Sequence, residues 1–67
     1  MSIMPSFKVG ELAQCTIAGK TWVCLVLATS PATHRGRSPL IKVQWVGESP
    51  RDLQVEHVED RLLKPLQ

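Results

Sequence analysis

The stretch Leu40-Ile41-Lys42-Val43-Gln44-Trp45-Val46 decides the fold. Ile41, Val43 and Trp45 alternate with Lys42 and Gln44. A period of two sends apolar side chains to one side of an extended chain and polar ones to the other. That is the pattern of an antiparallel strand with one wet face. Upstream, Thr21-Trp22-Val23-Cys24-Leu25-Val26-Leu27-Ala28 is apolar on both faces. A strongly bent strand, shared by two small packed sheets, needs that composition.

The remaining elements follow outward from these two strands. Phe7 to Leu12 reads as a turn leading into a first strand, with Gly10 free to take positive φ. That strand runs to about Ile17, and Ala18-Gly19-Lys20 forms a tight hairpin turn. Thr29 to Pro39 is the longest break, an exposed loop holding Pro31, Gly36 and Pro39. After Trp45, Gly47 to Pro50 turns the chain. Asp52 to Glu56 alternates again, with Leu53 and Val55 expected inward. His57 to Asp60 fits one 3₁₀ turn, and Arg61 to Lys64 a last strand ended by Pro65. A helix over Leu53 to Leu63 is the alternative, since Val55, Val58, Leu62 and Leu63 fall near helical period.

These elements predict an all-β fold, a small five-stranded barrel with a 3₁₀ turn before the last strand. The 67 residues hold one domain, residues 7–65, between an N-terminal arm, 1–6, and a short tail, 66–67. A core of this size yields roughly 3–5 kcal/mol of net stability, so oligomerisation or a partner is a natural support. With Phe7, Trp22 and Trp45 the only rings, Leu, Val and Ile must fill the interior.

Val9-Gly10-Glu11-Leu12, the Gly19 turn, the apolar second strand, Lys42-Val43-Gln44-Trp45 and Val55-Glu56-His57-Val58-Glu59 together carry a resemblance. Over about Phe7 to Lys64 the chain resembles short phage-encoded proteins, including those of phages that infect cyanobacteria. These are similar in turn to SH3-like, Tudor-like and chromo-like barrels. The resemblance implies the SH3-like barrel and a phage origin more than any activity.

Trp22 and Trp45 are the only rings available for a cation cage, and both sit where core residues belong. His34-Arg35-Gly36-Arg37, with Lys20 and Lys42, forms a short basic cluster able to meet phosphates. It has no interleaved aromatic for base stacking, so nucleic acid ranks behind protein as a partner. Charge is uneven along the chain: five cations against Glu11 up to Trp45, then three against five carboxylates. The candidate partner-binding residues are therefore His34, Arg35, Arg37, Lys42, Glu48, Asp52, Glu56, Glu59 and Asp60.

If Gly19-Lys20 is a two-residue loop, Cys15 lies directly opposite Cys24, a possible cross-strand thiol pair. Two buried free thiols are the other reading. Cys15, Cys24, His34 and His57 match no usual zinc spacing, and no cofactor is expected. Neither histidine has a nucleophile partner in sequence, and no phosphate-binding glycine loop exists. The expected function is non-enzymatic: an interaction or assembly module, a candidate accessory component of a virion. A soluble modulator of a host protein, using the acidic second half, is the alternative; a nucleic-acid-binding barrel is a third. A homo-oligomer fits any of these. No segment reads as a signal peptide or membrane span, so host cytoplasm or virion is the expected location.

Overall fold

The computed structural model describes residues 5–32 and 38–66. It is all-β among those residues, with β1 Leu12–Ile17, β2 Lys20–Ser30, β3 Leu40–Trp45, β4 Val55–Glu59 and β5 Leu63–Pro65. One 3₁₀ turn, Asp60–Leu62, precedes β5. The strands form one antiparallel sheet in the order β4-β3-β2-β1-β5.

Alternation in β3 sets the inside. Ile41, Val43 and Trp45 are buried, while Leu40, Lys42 and Gln44 are exposed. Their cross-strand neighbours share the buried face: Cys24 and Val26 on β2, Ala13 and Cys15 on β1, Val58 on β4 and Leu63 on β5. Phe7 closes this core from the N-terminal side, with Ile17 and Trp22 packed at its margin. A bulge between Val26 and Ala28 lets the long β2 bend. Gly10, at φ +91°, donates its N–H to Val26 O at 2.8 Å and carries the β1–β2 ladder past the end of β1.

β4 and β5 lie at opposite edges of the sheet yet are joined only by Asp60–Leu62. Four strand spacings in a flat sheet span about 19 Å. The four Cα steps from Glu59 to Leu63 reach at most about 14 Å even when extended. The sheet must therefore curl around its core. It does not close into a barrel, because β4 and β5 do not pair.

Two local expectations change. The hairpin loop is Ala18-Gly19, with Ile17 paired to Lys20, one residue earlier than the Gly19-Lys20 loop. Ala18 (φ 53°) and Gly19 (φ 80°) are both left-handed, as a two-residue type I′ turn requires. Cys15 therefore faces Trp22 and Cys24 faces Ala13, so the direct Cys15–Cys24 opposition does not form. The second change is in the last third. β4 begins at Val55 rather than Asp52, the 3₁₀ turn is Asp60–Leu62 rather than His57–Asp60, and β5 starts at Leu63. Leu53 and Val55 point outward, at 54% and 41% exposure, and Val58 is the buried residue. Glu56, not an apolar residue, shares the inward side of β4, because Trp45 and Arg51 satisfy its carboxylate. A shift of one residue in phase exchanges the two faces of a strand. The strand and 3₁₀ reading of this region holds, and its helical alternative over Leu53 to Leu63 does not form.

Candidate functional site: the outer face of the sheet

The register assembles the outer face. Leu12 pairs with Leu25, Leu25 with Gln44, and Gln44 with Val55. Directly paired residues project from the same side, so these four form one row across β1, β2, β3 and β4. Leu12 is 44% exposed, and Leu25 is half-buried. The next row contains Lys64, Gln14 and Val23. Val46, whose N–H donates to Val23 O at 2.9 Å, prolongs it and is 54% exposed. On the other flank Ala28, Lys42 and His57 line up. The result is an apolar band with two glutamines inside it and Lys42 and Lys64 at its margins. The outward carboxylate of β4, Glu59, stands at the corner and is held by Arg61. At the β1 end the band runs into a groove of about 500 Å³ between Gly10–Leu12 and Pro65–Leu66.

Four of the five carboxylates of the second half, Glu48, Glu56, Glu59 and Asp60, have a local partner. Glu56 accepts from Trp45 Nε1 at 2.9 Å and from Arg51 Nε at 2.9 Å, and its side chain is only 9% exposed. The Arg51 hydrogen bond, and to a lesser extent the Trp45 bond, hold its carboxyl below the usual range despite desolvation. Asp60 accepts from both the N–H and the hydroxyl of Ser6, each at 2.8 Å, and so ties the N-terminal segment to the 3₁₀ turn. Glu48 meets Lys20 at 3.4 Å. Asp52 is exposed at a left-handed position, φ 56°, in the β3–β4 connection. His34, Arg35 and Arg37 lie outside the described residues. Lys42 and His57 are paired neighbours on the outer face. Those of the charge-predicted residues that are described are divided among the outer face, the β3–β4 connection and the β4 margin.

Trp45 is core, 2% exposed, and Trp22 is half-buried against it. Lys20 Nζ lies 4.3 Å from the centroid of the Trp22 ring, so the chain's own ammonium covers that ring. Cys15 and Cys24 are both buried free thiols. Burial, then the proximity of Cys15, pushes the Cys24 thiol up to about 11. Burial likewise raises that of Cys15. Among the described residues no three potential ligands cluster to hold a metal ion.

Charge reasoning missed the apolar band. Its signal was present in β2, whose second apolar face, Val23 and Leu25, exceeds what one core consumes. Comparison with known proteins finds no matching family model, no matching curated protein and no matching solved structure.

Proposed function

We propose that this chain is a non-enzymatic protein-interaction module, an SH3-like barrel left open along one seam, that docks through the outer face of its sheet. The observation that carries this reading is the Leu12–Leu25–Gln44–Val55 row. A strip that is apolar on β1, β2 and β4, with Gln44 within it and polar groups at its flanks, has the anatomy of a docking surface: a largely apolar centre and a wet rim. Lys42 and Lys64 on that rim suit a partner surface whose own rim is acidic. The local pairing of Glu48, Glu56, Glu59 and Asp60 gives no support to the alternative of an acidic mimic that blocks a basic host surface.

The resemblance to phage proteins supports the more specific role, an accessory subunit held on a virion. Such a subunit co-sediments with assembled particles in fixed stoichiometry. The double variant Leu12→Asp/Val55→Asp changes two exposed side chains and should fold. It should be released from the particles. Co-sedimentation that persists with this folded variant would overturn the outer-face reading, and absence of the wild-type protein from the particles would overturn the virion role.

A further inference from the structure

We propose that the partner adds an extended strand to the free edge of β4. This rests on the protein-binding reading and names the mode of contact.

The register dictates which backbone groups are free. Trp45 N–H donates to Gln54 O at 2.8 Å, and Asp60 N–H donates to Pro39 O at 2.8 Å. These bonds flank the β3–β4 ladder, in which Leu40 pairs with Glu59 and Gln44 with Val55 without a shift. In an antiparallel pair, hydrogen-bonded and non-bonded positions alternate. Glu56 and Val58 therefore bond to β3, while the N–H and C=O groups of Val55, His57 and Glu59 point away from it. Among the described residues none of these outward groups has a hydrogen-bond partner outside the strand ladders, and β4 is a terminal strand of the sheet.

Protein edges are ordinarily defended by shortness, proline, bulges, lysine or an inward-pointing charge. The β5 edge has two of these, being three residues long and ending on Pro65. β4 has five residues, an unshifted ladder, no proline and no lysine, and its one inward charge, Glu56, is neutralised by Arg51. Its two glutamates are engaged, Glu56 with Arg51 and Glu59 with Arg61. A weakly defended edge beside an apolar band is the arrangement that strand addition uses: main-chain bonds give affinity and alternate side chains give selectivity.

The outward side chains specify the occupant. Val55 ends the apolar row, so the residue added beside it is apolar and extends that row. Glu59, whose side chain stays 40% exposed beside Arg61, can accept from a second, basic residue, and His57 lies between them. A second copy fits poorly. Its β5 offers three residues and a proline. Antiparallel β4–β4 pairing centred on His57 sets Val55 against Glu59. The occupant is an extended segment of another protein.

Amide hydrogen exchange followed by NMR tests this directly. In the free protein His57 should exchange at least ten-fold faster than Glu56 and Val58. The probe is a capped peptide with the core Lys-Val-Thr-Thr-Val, which places Lys beside Glu59 and Val beside Val55 when antiparallel. It should slow exchange at Val55, His57 and Glu59 by ten-fold or more, and a scrambled peptide should not. His57→Pro removes one outward N–H without touching the β3 ladder and should abolish this protection. Should that variant not fold, the wild-type exchange pattern decides. Slow exchange of His57 in the free monomer overturns the proposal, as does a peptide that leaves the three amides unprotected. Protection of the same amides in a solution dimer overturns the assigned occupant. Peptide binding that perturbs only Leu12 and Leu25 and survives His57→Pro overturns strand addition, yet leaves the protein-binding reading standing.

Discussion

Glu56 shows how one side chain sets the phase of a strand. It stands on the inward side of β4 with 9% of its side chain exposed, and its oxygens meet Trp45 Nε1 and Arg51 Nε. An unpartnered buried donor costs about 1–3 kcal/mol. Glu56→Ala orphans the indole N–H of a nearly buried Trp45 and should lower stability by about that much, read from urea unfolding. Glu56→Gln keeps an acceptor and should cost less. The pH dependence has a definite sign. The folded-state pKa lies below the ordinary 4.5, so the ionised carboxylate stabilises the fold above that value. That contribution disappears as pH falls through the lowered folded value. Between neutral pH and pH 3, the wild-type protein should lose more stability than Glu56→Gln. Cys15 and Cys24 behave oppositely. Burial favours their neutral thiols, and the thiolate is the reactive form. A thiol reagent at pH 8 should label neither cysteine in the folded protein and both in denaturant.

At the scale of elements, legibility followed the locality of the cause. β3 was readable because its burial pattern is its own alternation, Ile41, Val43 and Trp45 against Lys42 and Gln44. β4 was misphased because the partners that make Glu56 an inward residue lie on β3 and in the β3–β4 connection. Hydropathy alone assigns such a carboxylate to water. The outer band was visible as a second apolar face on β2, but only the register with β1, β3 and β4 turns it into a row. The first hairpin slipped by one residue because Ala18 is an unusual occupant of a left-handed position, φ 53°. A left-handed L-residue carries a penalty of roughly 1–2 kcal/mol, which asparagine tolerates better. Ala18→Asn creates the favoured Asn-Gly turn and should raise the melting temperature by about 4 °C or more, since 1 kcal/mol shifts a domain of this size by about 4–8 °C. An unchanged or lower melting temperature would count against the type I′ geometry.

The whole molecule is one curled sheet whose concave side holds its core and whose convex side keeps an apolar band. That division makes stability and binding separable by strand parity. Adjacent residues of β3 serve different sides: Ile41 is fully buried, whereas Leu40 is 46% exposed. Removing a buried Ile side chain to Ala costs about 2–5 kcal/mol. The net stability of so small a core is roughly 3–5 kcal/mol. Ile41→Ala should therefore leave much of the protein unfolded near room temperature, visible as loss of β signal in far-ultraviolet circular dichroism. Leu40→Ala, one residue away, should move stability by less than about 0.5 kcal/mol. A molecule this close to its threshold gains from whatever binds only its folded form. An occupant of the β4 edge should consequently raise the melting temperature of the wild-type protein and restore part of the circular dichroism signal of Ile41→Ala. It should do neither for His57→Pro.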